Sequence, residues 1–210
     1  MGFSQALHKY IIFLDADILL TKNYLFDHSI RSSCIPNAVF SSLRKNIDTD
    51  SKITNIGFIR KGLNNPEQVD DSRIVKNVLN NNIGMDYAEE DRSLELLNDT
   101  NYFKSFGFGV KYGYNGLAES LSGHNISTRQ KVVKSVQGFS KEFLGWGMED
   151  SYFGAKVIAN GNFIIPVLSS AVYHIGYGPR DGDLEKKQKE LTNNFKIYEN
   201  LLNQEWFGDN

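Results

Sequence analysis

The sequence predicts an α/β protein, a mixed but mostly parallel sheet flanked by helices, and three observations carry that prediction. A continuous apolar run, Tyr10-Ile11-Ile12-Phe13-Leu14, ends on Asp15-Ala16-Asp17. A strand apolar on both faces suits the middle of a covered, parallel sheet. A helical pattern over 148–160 is followed by strand-like runs over 163–168 and 171–174, then by a second helical pattern over 184–202. Such alternation is expected of α/β chains. With 40% apolar and 12% aromatic residues among 210, there is material for a sizeable core, and one domain over 1–210 is expected.

The elements follow in chain order. Residues 3–8 read as the tail of a helix feeding the first strand, and 39–43 as a short strand. From 36 to 115 the pattern is weakest. Pro66 opens a helix to about Asn81, 86–97 carries a second helical pattern, and the glycine- and aromatic-rich stretch 101–115 reads as loop and short strand. About 44–115 is therefore treated as an insertion. Ser127 with Gln130 three residues on resembles a capping box, opening a helix that Gly138 closes. In 148–160, Met148, Tyr152, Ala155 and Ala159 share one face, and Gly161 stands just past the end. In 184–202, Leu184, Leu191, Phe195, Tyr198 and Leu202 form a stripe expected to pack back on the body.

Composition excludes several functions. Acidic and basic residues number 25 and 23, for a formal net charge of −2, so a nucleic-acid binder relying on bulk positive charge is not expected. Cys34 is the sole cysteine, which excludes a disulfide framework and a Cys-rich zinc site. It has no obvious activating partner and reads as inert. No apolar run approaches the ~20 residues of a membrane-spanning helix, and residues 1–9 lack the layout of a signal peptide. The expected location is cytoplasmic, peripheral to a membrane at most.

Three strings carry chemistry. Asp15 and Asp17 stand at a strand end, and carboxylates two apart on an extended chain share one side of it; hard oxygen donors of this kind suit Mg²⁺ or Mn²⁺ bridging to phosphates. The bland alternative is a solvated strand end. In Phe143-Leu144-Gly145-Trp146-Gly147-Met148-Glu149-Asp150, two glycines permit a sharp turn and close backbone approach, and Trp146 offers a flat face of the kind that stacks on sugars. Glu149 and Asp150 fall where a helix start favours ionised carboxylates. The alternative is a capped helix with a core tryptophan. In Tyr173-His174-Ile175-Gly176-Tyr177-Gly178, His174 ends a strand and is placed to give a nitrogen ligand to a metal held by Asp17, against the alternative of a hydrogen-bonded structural histidine. His8, His28 and His124 read as structural.

In this order, these strings resemble the metal-dependent glycosyltransferases of the GT-A fold, in particular the galactosyl- and N-acetylgalactosaminyltransferase group and bacterial chondroitin-polymerase-type enzymes. Gly123-His124-Asn125-Ile126-Ser127 and Gly138-Phe139-Ser140-Lys141-Glu142 extend the likeness. The resemblance implies transfer of a hexose or N-acetylhexosamine from a UDP-sugar donor to a glycan or glycoconjugate acceptor, as in polysaccharide biosynthesis. Asp17 and His174 would hold Mn²⁺ (or Mg²⁺), and Asp15 would hold the donor ribose or the metal's shell. Asp150 would be the base and Glu149 its catalytic companion. Trp146 and Gly147 would line the donor and acceptor sites, with Asn125 and Ser127 near the donor. Family members carry a further βα portion ahead of the Asp-x-Asp strand, whereas fourteen residues precede Asp15 here. The expectation is therefore a domain lacking its first βα units: a fragment, a chain completed by a partner, or one that has lost nucleotide binding.

Two rival readings follow from the same residues. An apolar strand ending in Asp-x-Asp near the N-terminus also suits phosphatases of the haloacid-dehalogenase type. Those want Thr or Ser two residues after the second Asp, where Leu19 stands, and a further Asp after a Gly-Asp pair, which Gly182-Asp183-Leu184-Glu185-Lys186-Lys187 does not supply. The other rival is a non-catalytic remnant that binds sugar or metal.

Overall fold

The strand that organises the fold is β3 (Ala38–Ile47). Its successive side chains point to opposite faces, and both faces are covered: Val39 joins one apolar cluster, while Ala38 and Phe40 join another. The computed structural model describes residues 6–67, 69, 118, 121–176 and 183–204. The helices expected over 86–97 and over most of 66–81, and the loop over 101–115, lie outside them.

Beside β3 stand β1 (Tyr10–Leu14), β2 (Ile18–Leu20), β4 (Asn125–Arg129) and β5 (Phe163–Ile175), in the order β1-β4-β3-β5-β2. The sheet is mixed α/β as expected, but the expectation of mostly parallel pairing is corrected. Among the described strands only β3–β5 pair parallel, with an isolated parallel bridge between Thr21 and Leu63; β1–β4, β3–β4 and β2–β5 are antiparallel. An apolar run reports burial and carries no information on strand direction. The same run misplaced β1, which ends the strand order instead of sitting in its middle, with Ile11 its one buried residue. The doubly covered strand is β3, and it continues through 44–47 into the stretch read as insertion.

The helices are α1 (Tyr24–Cys34), α2 (Ile56–Lys61), α3 (Gln130–Ser135), α4 (Glu149–Ala159) and α5 (Asp183–Asn203). None among the described residues is long and apolar enough to cross a membrane. Residues 6–9 are not helical, so the helix expected over 3–8 does not reach β1. The capping box is also corrected: Ser127 lies inside β4, and α3 starts at Gln130 without a side-chain cap. Ser127 Oγ has stronger partners, bonding the Tyr10 hydroxyl at 2.6 Å and His28 Nδ1 at 2.7 Å. The two strands expected over 163–168 and 171–174 are one strand, β5. Its register slips between Ser42 and Arg44 of β3, so the expected break is an irregularity within one strand.

The main core lies between the sheet and α3 and α4. It joins Val39, Ile126 and Ile164 of the strands to Val132, Val133, Phe153 and Val157 of the helices. The helix expected over 148–160 forms over Glu149–Ala159, and Gly161 (φ +71°) follows its end. It buries residues 151–157 on nearly every side, so the single face expected there is too narrow, and Ala159 is exposed. A second cluster joins Phe143, Met148, Tyr152 and Ala155 to Tyr198 of α5, with Leu191, Leu201 and Leu202 packed against it. Within the expected α5 stripe, Leu184 and Phe195 face outward, 61% and 44% exposed. Asn194, outside that stripe, is the buried polar residue of the helix, against the loop over 144–147.

Candidate active site

The chain leaves β1 through a turn that gathers the site. Ile18 N–H donates to Asp15 O at 3.3 Å, so Asp15-Ala16-Asp17 is a turn and not an extension of the strand. The two carboxylates therefore do not share a strand face. Both ends of the turn are pinned. Asp15 N–H donates to His124 O at 3.1 Å, just ahead of β4, and Ile175 N–H donates to Asp17 O at 2.9 Å, at the end of β5. The turn thus meets the ends of two strands that lie far from it in sequence.

Pairing of β2 with β5 sets Ile18 opposite His174, which brings the preceding Asp17 beside the imidazole. Asp17 Oδ2 lies 3.4 Å from His174 Nε2. His174 Nδ1 lies 3.1 Å from Asn46 Oδ1 on β3. An amide oxygen only accepts, so this contact has Nδ1–H donating to Asn46 and leaves Nε2 facing Asp17. Hydrogen-bonded orientation of this kind is what a metal-ligating histidine needs. One carboxylate oxygen and one imidazole nitrogen at this spacing fit two adjacent ligands of Mn²⁺ or Mg²⁺. Among the described residues, no three His, Cys, Asp or Glu side chains are grouped to hold a metal ion. Asp17 and His174 are the pair that could hold such an ion, and ions of this kind commonly complete their shell with phosphate oxygens and water.

The second half of the site is the start of α4. Glu149 and Asp150 stand in its first turn, as expected, behind Met148 in the left-handed region (φ +74°). Two backbone donors fix the Asp150 carboxylate: Ser151 N–H to Oδ1 at 2.8 Å and Gly123 N–H to Oδ2 at 3.2 Å. Burial, followed by the charge of Asp150 and then that of Asp15, pushes the Glu149 carboxyl above its ordinary range; backbone hydrogen bonds oppose this. Glu149 Oε2 is buried and has no hydrogen-bond partner among the described residues. Asp15 is pushed up by burial, by Asp17 and by Asp150, with His174 opposing. Asp15, Asp17, Glu149, Asp150 and His174 thus share one electrostatic field, although they come from the β1–β2 turn, α4 and β5.

The other expected residues sit as follows. Trp146 is 45% exposed, with its ring 5.9 Å from Lys187 Nζ. Gly147 (φ +97°) is next to it. Asn125 is paired with Leu14 at the site end of β4; it is fully buried, and neither amide atom has a partner among the described residues. Ser127 lies two residues deeper, engaged with Tyr10 and His28. Sequence reasoning missed Asn46, Gly123 and His124. The His124 ring lies 6.1 Å from that of His174. Gly123 and His124 did stand in one of the family-like strings, but a lone Asn in β3 gave no signal.

Residues 106–175, a span that includes β4, the tryptophan loop, α4 and β5, match the family model of the N-terminal domain of galactosyltransferase. Over that third of the chain the sequence is similar to a galactosyltransferase domain. Chondroitin synthase from Escherichia coli is 24% identical over 177 residues, covering 83% of this chain and 24% of that protein. The chain therefore spans about a quarter of the length of this relative. A solved structure of GalNAc-T7 with UDP, GalNAc and Mn²⁺ is similar at 12% identity and a TM-score of 0.49, over 83% of this chain and 29% of that one.

Proposed function

We propose that this chain is the catalytic part of a metal-dependent glycosyltransferase that moves a hexose or N-acetylhexosamine from a UDP-sugar to a glycan hydroxyl with inversion. The observation that carries the reading is the convergence of Asp17 and His174, 3.4 Å apart, with the two acids that open α4. The galactosyltransferase family match and the similarity to a chondroitin synthase support the transferase class and a glycan acceptor. A divalent cation, when bound, neutralises charge that develops on a leaving diphosphate. Asp17 and His174 would supply its two protein ligands, and Asp15 would hold the donor ribose.

Asp150 then takes the proton from the acceptor hydroxyl. The acceptor oxygen bonds to the anomeric carbon, the bond from that carbon to the diphosphate oxygen breaks, and UDP leaves from the opposite face. Two backbone donors hold the Asp150 carboxylate in one orientation, which favours a fixed reacting geometry. A second reading gives the proton to Glu149, favoured by its raised pKa and its buried Oε2, which has no partner among the described residues.

Transfer assays with a panel of UDP-sugars and glycan acceptors test both. Asp150→Asn is expected to lower turnover by about 100-fold or more while leaving UDP binding intact. Turnover retained in Asp150→Asn but lost in Glu149→Gln would move the base to Glu149. No turnover of any donor by the folded protein would favour the non-catalytic remnant.

A further inference from the structure

The glycine–tryptophan–glycine turn is shaped by α5 lying against it. Asn194 of α5 is 2% exposed. Its side-chain amide nitrogen faces three loop carbonyls: Leu144 O at 3.2 Å, Trp146 O at 3.2 Å and Gly147 O at 2.9 Å. One NH₂ group has two hydrogens, so the three carbonyls converge on a single donor group. One helical turn earlier, Glu190 Oε2 accepts the Trp146 backbone N–H at 2.9 Å. Both glycines make room for this contact. A Cβ on Gly145 would lie 2.5 Å from Glu190 Cδ, and one on Gly147 would lie 2.7 Å from Leu191 Cδ1. Lys187, on the same helix, lies over the indole. Every backbone polar contact that α5 makes with this loop thus falls between Leu144 and Gly147, the residues just ahead of Glu149 and Asp150.

We propose that Asn194 and Glu190 are positioning residues that fix Trp146 and the start of α4 for sugar binding, a role that rests on the transferase reading above. Asn194 gives the three carbonyls a common donor group. A strained turn with glycines at φ +79° and +97° and Met148 at +74° needs such a clamp to persist. Loss of the clamp should displace the indole without disturbing Asp17 and His174, which are held from β2, β3 and β5.

The test uses Trp146 emission in a Trp206→Phe background, which removes the second tryptophan of the sequence. Asn194→Asp keeps the shape and turns the donor into an acceptor facing three carbonyls. Glu190→Ala removes the acceptor, and Glu190→Gln keeps one. Asn194→Asp and Glu190→Ala are expected to shift Trp146 emission to the red and to lower transfer on the order of 100-fold, the scale of a misplacement of about 1 Å. Mn²⁺-dependent UDP binding should stay at the parent level, and Glu190→Gln should restore both emission and transfer. Unchanged emission in both disruptive variants, or Glu190→Gln behaving like Glu190→Ala, would overturn the proposal. Should Asn194→Asp fail to fold, the Glu190 pair decides. Absence of UDP binding and transfer in the parent itself would count against the transferase reading, and the emission comparison would still decide whether α5 holds the loop.

Discussion

Acid should destabilise this fold through one buried histidine. His28 on α1 is fully buried, with Nδ1 2.7 Å from Ser127 Oγ, Nε2 2.6 Å from Ser42 Oγ, and its ring stacked on Tyr24 at 4.0 Å. Burial, reinforced by the charge of Arg31, pushes its pKa down from 6.5 to about 3. The unfolded chain therefore takes up a proton near pH 6.5 that the folded chain refuses until about pH 3. Stability is fully present above the unfolded value and falls as pH drops through this window. The loss works out at about 2 kcal/mol by pH 5 and approaches roughly 5 kcal/mol near pH 3, a large share of an ordinary stability of about 5–15 kcal/mol. Urea unfolding at pH 7.5 and pH 5, on the parent and on His28→Gln, measures it. The variant is expected to be less stable at pH 7.5 but to lose about 2 kcal/mol less than the parent on acidification. Equal losses in the two proteins would refute the reasoning, because the histidine would then be protonated in the fold or the pH dependence would belong to other groups.

Lys156 gives a second pH signature on the alkaline side. It is 6% exposed, donates to Val136 O and Gly138 O beyond the end of α3, and has its pKa lowered by burial from 10.5 to about 8. The unfolded chain holds that proton longer, so the parent should gain stability relative to Lys156→Met as pH rises from 8 towards 10.5, by at most about 3 kcal/mol; parallel unfolding curves would contradict this. Gly147→Ala should cost more than Gly161→Ala in urea unfolding. Both sit at positive φ, which costs an L-residue about 1–2 kcal/mol, but a Cβ at Gly161 meets nothing within 4 Å while one at Gly147 runs into Leu191. Equal costs would mean that α5 does not press on the loop in solution.

The sequence made some of this legible and hid the rest for physical reasons. Helix α4 could be read closely because an apolar period, two acids at its start and Gly161 at its end agree on the same boundaries. The nearness of Asp17 to His174 was likewise expected, because each follows or ends an apolar strand run. Strand direction was not legible, since Tyr10-Ile11-Ile12-Phe13-Leu14 would look the same in a parallel centre or an antiparallel margin. Ser127 and Gln130 satisfied a local capping pattern, yet the serine hydroxyl bonds a tyrosine and a histidine from distant parts of the chain. Asn194 was invisible for the opposite reason: a polar residue beside an apolar stripe has no periodic signature until the carbonyls it serves are known. The glycines around Trp146 announced a close approach, and only the structure supplied α5 as what approaches.

The measurement that bears most directly on the transferase account is calorimetric titration of the protein with UDP, with and without Mn²⁺, repeated on Asp17→Ala. The account predicts binding that requires Mn²⁺ and disappears in the variant, because Asp17 and His174 would together supply the protein's ligands to the ion. Binding of UDP that ignores Mn²⁺ or survives Asp17→Ala, or no binding by the folded parent, would contradict it.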